Sequence, residues 1–160
     1  MTGPNVRRGV SLADHTTLGL GGEAQAFVEV SSRPALIEAL RHADAKGMPT
    51  LLLGGGSNLV VADAGFDGLV VAMRTRGLTI ERDGDGALLH AEAGEPWDKV
   101  VERSVSEGLT GLECLSGIPG LAGATPIQNV GAYGQEVSQT LRRIEVLDRR
   151  TFQEHLLTPE

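Results

Sequence analysis

Thr50-Leu51-Leu52-Leu53-Gly54-Gly55-Gly56-Ser57-Asn58 decides how the rest of the chain is read: a short apolar strand runs straight into three glycines, a serine and an asparagine. Just upstream, Ala26-Phe27-Val28-Glu29-Val30 has the composition of a strand. Between the two, Ser32 can cap a helix with Pro34 in its first turn. Leu36, Ile37, Leu40 and Ala43 recur on one face of that helix, and Gly47 closes it. Strand, helix and strand make a β-α-β unit whose second strand is expected to lie parallel to the first. Three glycines at the carboxyl end of a strand let the main chain approach an anion, and consecutive N–H groups can form an anion-binding nest. Ser57 and Asn58 add neutral donors. A tight turn is the plainer alternative, although three glycines in a row carry more chain entropy than a turn requires.

Downstream the pattern becomes richer in strands: Leu69 to Met73, Leu78 to Glu81, and Ala87 to Ala93, with Asp83-Gly84-Asp85-Gly86 as turn chemistry between the last two. Leu89, Ala91 and Ala93 share one face of the last strand and His90 and Glu92 the other, as in a sheet covered on one side. Pro96 begins a second helix with Trp97, Val100, Val101, Ser104 and Val105 inward and Gly108 at its end. Gly111 to Gly134 is too glycine-rich for a long helix and too apolar for a linker. A last strand is expected at Ile144 to Leu147. Thr158-Pro159-Glu160 has the pattern of a helix start, so the chain reads as stopping partway through its fold, with a frayed tail as the plainer alternative.

Within Gly111 to Gly134, the run from Ser116 to Gly134 forms a second Gly-rich loop. Gly117, Gly120 and Gly123 leave a thin side for a flat or charged ligand. Gln128 and Asn129 offer amide groups for the edge of a heterocycle, and Ser116 and Thr125 offer hydroxyls. Close packing of chain on chain is the alternative at this point.

Composition narrows the classes. The chain has 160 residues, 41% of them hydrophobic, enough for one domain with a real core. A net charge of −7 leaves no basic footprint for nucleic acid. No run approaches the ~20 apolar residues of a membrane span. Met1 to Arg8 is polar and does not read as a secretory signal, so a cytoplasmic location is expected. Cys114 is the sole cysteine and reads as a small buried hydrophobe.

Several local patterns are set aside. Gly19-Leu20-Gly21-Gly22-Glu23-Ala24 matches a dinucleotide fingerprint on paper, but Asp14-His15-Thr16-Thr17 precedes it and a strand follows it. Gly54 to Asn58 lacks the Lys-Ser/Thr pair of a nucleoside-triphosphate loop. His15, His42, His90 and His155 share no metal-ligand spacing, and His42 and His90 read as solvated.

The motifs recur in one familiar order: Gly54-Gly55-Gly56-Ser57-Asn58-Leu59, Gly94-Glu95-Pro96-Trp97, Gly108-Leu109-Thr110-Gly111-Leu112-Glu113, Gly117-Ile118-Pro119-Gly120, and Pro126-Ile127-Gln128-Asn129-Val130-Gly131-Ala132-Tyr133-Gly134. Together they resemble the UDP-N-acetylenolpyruvoylglucosamine reductase family, flavoenzymes that make UDP-N-acetylmuramate for peptidoglycan. His15-Thr16-Thr17-Leu18-Gly19-Leu20-Gly21-Gly22 fits that family's N-terminal signature, with His15 where asparagine is usual. The likeness runs from about residue 13 to 150.

The resemblance implies an α+β fold, a vanillyl-alcohol-oxidase-type FAD-binding domain of two α+β subdomains. Residues 1–14 would then be a leader, 15–66 the first subdomain and 67–160 a second, C-terminally incomplete one, with the substrate-binding domain absent. It implies an FAD pyrophosphate at Gly54, Gly55, Gly56, Ser57, Asn58 and Leu59. The rest of the cofactor would lie along Ser116, Gly117, Ile118, Pro119, Gly120, Gly123, Ala124, Thr125, Ile127, Gln128, Asn129, Gly131, Ala132, Tyr133 and Gly134. Ser57 and Asn58 in place of a loop histidine imply non-covalent FAD, with NADPH and a UDP-sugar as the family's other small-molecule partners. The family's catalytic arginine lies in a Tyr-Arg-x-Ser motif that this sequence does not contain, so no catalytic residue is assigned here and the missing C-terminal half is itself an expected partner. A non-catalytic FAD-binding module and a sugar or lactone oxidase on the same fold are the alternatives.

Overall fold

The computed structural model describes residues 5–159. Its central element is a four-stranded sheet in the order β1 (Val10–Ser11), β2 (Glu23–Val30), β4 (Phe66–Met73), β3 (Thr50–Leu53). β2 and β3 are parallel as expected, yet they are not neighbours: β4 enters between them, parallel to both. The period-2 alternation of β2 and β4 puts apolar side chains on both faces of this sheet. Ala26, Val28, Val30, Leu69 and Val71 meet Ala39, Leu40 and Ala43 of α1 (Arg33–Ala45). Phe27, Val70, Ala72 and Leu53 form a second cluster with Leu12 on the other face. A register shift between Ala24 and Ala26 moves Ala24 from the α1 face into that second cluster. The Ser32 side chain caps α1, accepting the Ala35 N–H at 3.3 Å. Gly47 closes the helix in the left-handed region, at φ +61°.

Residues 54–65 connect β3 to its parallel neighbour β4 without a helix. The rejected fingerprint supports this crossover: Gly22 N–H donates to the Ala62 carbonyl at 3.0 Å. A Cβ on Gly22 would sit 2.1 Å from the Asp63 carbonyl oxygen, so that glycine is fixed by close packing of chain on chain.

The second half holds the antiparallel hairpin β5 (Leu78–Asp83) and β6 (Gly86–Ala91), then α2 (Trp97–Ser106). Trp97, Val100 and Val101 of α2 build a separate core with Leu115 and Val137, and Leu78 and Leu89 pack against it. β7 (Gly131–Ala132) and β8 (Gln135–Glu136) form a short hairpin, and β9 (Ile144–Leu147) pairs with β10 (Glu154–Leu157). The β9–β10 hairpin docks on α1 through Leu147 and Phe152. Arg33 of α1 pairs with Glu145 and Glu154 at 2.7 Å each, and Arg149 with Asp44 at 2.6 Å.

Several expectations need correction. Residues 5–14 are not a loose leader: β1 pairs with β2, and Leu12 is wholly buried because it caps the sheet's second face; residues 1–4 lie outside the described residues. A boundary after residue 66 cuts the first sheet at its central strand, since β4 pairs on both sides. Residues 144–157 likewise pack on the first half, through Leu147, Phe152 and the Arg33 ion pairs. Val105 is half exposed, because α2 turns it off the Trp97 stripe. Pro96 is the N-cap of α2 and lies outside the helix proper. His90 is not simply solvated: its Nε2 is buried, with only a Glu81 carboxylate at 3.7 Å. Cys114 is half-buried, its backbone N–H donating to the Gln135 amide oxygen. Thr158 and Pro159 follow β10 without regular secondary structure, and Glu160, the last residue of the expected helix start, lies outside the described residues.

Two substitutions probe these cores. Trp97→Ala removes the largest member of the α2 core and strands the Leu115 carbonyl, which accepts from the indole Nε1 at 3.0 Å. We expect a loss of about 3–5 kcal/mol in chemical denaturation. Arg33→Ala acts on exposed pairs, so its cost is expected to stay within about 1 kcal/mol and to vanish at molar salt. A salt-independent loss there would mean that the hairpin is held by packing alone.

Candidate functional site

The parallel register gathers three carboxyl strand ends at one edge. Leu53 of β3 lies beside Ala72 of β4, and Val30 of β2 beside Met73. Gly54 to Asn58 therefore leaves the sheet next to Arg74, whose N–H donates to the Val30 carbonyl at 2.8 Å. In parallel α/β sheets this is the end where ligands collect.

The three glycines of this first loop have three different reasons. Gly56 adopts φ +71°, and a Cβ there would lie 2.0 Å from the His15 carbonyl oxygen. A Cβ on Gly55 would reach 3.0 Å from the Cα of Gly120, so Gly55 lets the first loop touch the second. Gly54 has neither reason: its φ is not in the left-handed region, and a Cβ would make only ordinary contact, 3.8 Å, with Leu121. Nothing in the described residues demands a glycine at 54. Among those residues no acceptor takes the backbone N–H groups of Gly55, Gly56, Ser57 or Asn58, so four consecutive donors remain free.

The second loop is stitched to the chain entering α2. Trp97 N–H donates to the Gly120 carbonyl, Ala122 N–H to Glu95 and Gly123 N–H to Ala93, at 3.0, 2.8 and 2.9 Å. Gly123 is glycine because a Cβ would fall 2.6 Å from that of Ala93. Three carboxylates hold the rest. Asp98 accepts from Gly117 N–H at 2.7 Å and Ser116 Oγ at 2.9 Å. Glu113 accepts from Gly111 N–H at 2.6 Å and from the Gln135 amide at 2.9 Å. Glu136 accepts from the Asn129 amide at 2.7 Å. The Gly117 and then the Ser116 hydrogen bonds hold the Asp98 carboxyl below its ordinary range. Bonds from Glu113's own backbone N–H, from Gly111 and from Gln135 do the same for Glu113.

The residues singled out from sequence divide into three groups. Gly55, Ser57 and Asn58 meet Gly120 and Gln128: a Cβ on Gly120 would lie 3.9 Å from Ser57 Oγ, and the Asn58 amide donates to the Gln128 side-chain oxygen. Gln128, Asn129, Gly131, Ala132 and Gly134 line a concavity of about 650 Å³ with Ile118 at its edge. Others are turned to internal use. The Asn129 amide is engaged at both ends, donating to Glu136 and accepting the Ser138 N–H at 3.1 Å, which leaves one N–H and one lone pair for a ligand; its φ of +46° is part of the same local turn. Leu59 packs on the Leu12–Phe27 cluster of the sheet, Ile118 and Ala132 on the α2 core, and Thr125 Oγ1 donates back to the Ala122 carbonyl. Gly117 and Gly134 are turn glycines, at φ +76° and +83°, with open space beside them. Pro119 is exposed and Ala124 half-buried in the tight run from Ser116 to Thr125. Ile127 and Tyr133 are 85% and 92% exposed, an unusual setting for large apolar side chains.

Sequence reasoning missed two residues. Asp98 had one available signal, an acidic side chain in the first turn of the helix before the loop. Arg74 had another, a cation just past the end of the strand that pairs with β3. Arg74 lines a smaller concavity, about 270 Å³, together with Gly54, Gly55, His15, Thr16 and Leu121.

Comparison with known proteins gives this geometry a family. The FAD binding domain family matches residues 24–151. The UDP-N-acetylenolpyruvoylglucosamine reductase of Saccharopolyspora erythraea is 61% identical over 144 residues, 89% of this chain and 39% of that protein. Its counterpart in Nocardia farcinica is 57% identical over 150 residues, 94% of this chain and 38% of that protein. The chain thus spans about two fifths of the length of these relatives. The crystal structure of UDP-N-acetylenolpyruvylglucosamine reductase from Thermus caldophilus superposes with TM-score 0.76 at 30% identity, covering 98% of this chain and 53% of that one. A VAO-type flavoprotein from Myceliophthora thermophila shares the fold at TM-score 0.65 and 14% identity, over 82% of this chain and 26% of its own. No helix among the described residues is long and apolar enough to cross a membrane. The chain belongs to the FAD binding domain family, in the form found in UDP-N-acetylenolpyruvoylglucosamine reductases.

Proposed function

We propose that this chain binds FAD non-covalently, as the FAD-binding part of an NADPH-dependent reductase that converts UDP-N-acetylenolpyruvoylglucosamine to UDP-N-acetylmuramate. The observation that carries this reading is the first loop: four adjacent N–H donors without acceptors among the described residues, beside a Gly54 that none of those residues requires to be glycine. The pyrophosphate is assigned to the N–H groups of Gly55, Gly56, Ser57 and Asn58, with Gly54 allowing close approach. The flat part of the cofactor is assigned to the backbone of Ser116 to Gly120 and to the concavity lined by Gln128 and Gly131. The exposed faces of Ile127 and Tyr133 are assigned to contact with the cofactor or with the rest of such a reductase.

Held by Gly55 to Asn58 and the backbone of Ser116 to Gly120, FAD would supply the hydride chemistry between NADPH and the enolpyruvyl group. This chain's own residues bind, orient and screen. The Asn58–Gln128 bond ties the two loops across the ligand path, and Asp98 fixes the turn at Gly117. No side chain here is assigned to proton delivery. We place the activity in the cytoplasm, where its product would feed cell-wall synthesis and so cell shape and division.

The first test is the absorbance spectrum of the purified chain after incubation with FAD and desalting. Retained flavin bands near one equivalent support the reading; a folded but colourless chain overturns it. Denaturation in guanidinium should then release all the flavin into a filtrate, as non-covalent attachment requires.

Gly54→Ala separates binding from folding. Stability should hold or rise by up to about 1 kcal/mol, while FAD affinity falls at least about tenfold. Gly56→Ala should instead destabilise the fold, since its Cβ meets the His15 carbonyl. Equal loss of stability in both variants would remove Gly54 from the site.

The carboxylate anchors set a pH window. Both Asp98 and Glu113 are lowered in the folded chain. Their contribution is therefore complete above the ordinary carboxylate range of about 4 and is lost as pH falls below it, through the lowered values. Near-ultraviolet circular dichroism of the Trp97 region should stay constant from neutral pH to about 4.5 and change below that. A transition near neutrality would assign control to another group.

A further inference from the structure

Two arginines share one carboxylate beside the first loop. Arg74 Nε lies 3.2 Å from Glu29 Oε1, and Arg7 Nη2 lies 3.6 Å from Glu29 Oε2. Two guanidinium charges against one carboxylate leave a net charge of about +1 in this triad. Arg74 Nη1 also donates to the Met73 carbonyl at 3.0 Å, which fixes the fork and leaves its other terminal nitrogen unengaged among the described residues. The side chain is 33% exposed and lines the same concavity as Gly54 and Gly55. It is carried there by the parallel register, because Leu53 beside Ala72 sets the residues that follow each strand side by side.

We propose that Arg74 is a binding residue for the pyrophosphate of the dinucleotide flavin, and that it biases the site toward FAD over flavins lacking a phosphate. This deepens the FAD reading above and rests on it. The nest of neutral N–H groups supplies direction, and Arg74 supplies the charge that a pyrophosphate dianion needs in a chain of net charge −7. Asp14, on the rim of the same concavity, opposes it in sign, so the guanidinium is the local source of attraction. Glu29 is a positioning residue, holding Arg74 from behind.

The test compares Arg74→Gln and Arg74→Lys with the unaltered chain, titrating FAD and riboflavin by flavin fluorescence at about 50 and 500 mM NaCl, a range over which screening changes strongly. Thermal denaturation checks that each variant is folded. We expect Arg74→Gln to weaken FAD at least about tenfold and riboflavin less than about twofold, with a shallower salt dependence of FAD binding. Arg74→Lys should recover most of the FAD affinity, since a point charge still serves a phosphate. Should Arg74→Gln fail to fold, the lysine variant's FAD-to-riboflavin ratio and its salt dependence decide the matter. Unchanged FAD binding, or equal weakening of FAD and riboflavin, overturns the role of Arg74. Absence of FAD binding by the unaltered chain overturns the cofactor reading itself.

Discussion

Gly55 and Gly120 bring two main chains together with no side chain between them, and the site depends on this approach. A single methyl on Gly55 would sit 3.0 Å from the Gly120 Cα, so the loop from the first sheet and the loop beside α2 would have to part. Because they approach so closely, the N–H row of the first loop is held against the main chain of the second. The Asn58–Gln128 bond then closes the gap with side chains drawn from residues 70 apart in sequence.

Each loop is anchored by a different kind of force. The first is held by geometry: a parallel register, a buried Gly56 and the Thr17 N–H on the Gly56 carbonyl at 3.1 Å. The second is held by charge, with Asp98, Glu113 and Glu136 each collecting backbone or amide donors. These carboxylates are exposed, so their value lies in fixing conformation more than in adding stability. The chain's acidity thus has a local use, and Arg74 stands out against it as a cation beside a row of neutral donors.

Much of this was legible from the amino acids. Ser32, Pro34 and Gly47 marked α1 at both ends because capping is local chemistry. Gly54 to Asn58 and Ser116 to Gly134 stood out because glycine density has few other causes in a packed domain. What sequence did not disclose was long-range. Nothing local in Phe66–Met73 says that it inserts between β2 and β3, or in Val10–Ser11 that it extends the sheet. The β9–β10 hairpin was half seen, since Glu154–Leu157 has no apolar alternation, and its place on α1 rests on Arg33 and Phe152. Nor does the sequence disclose that the Asn129 amide already bonds Glu136 and Ser138.

The insertion of β4 has a further consequence for how the chain comes together. β2 and β3 are made first, but they share no hydrogen bonds and must wait for a strand that follows both. Until Phe66–Met73 arrives, each leaves an unpaired apolar edge, the condition that favours wrong pairing with other chains. The 54–65 segment must also close on itself before the β3–β4 ladder can return any energy. Its close packing against Gly21 and Gly22 therefore acts during assembly as well as after it, shortening the search of a connection that has no helix to guide it.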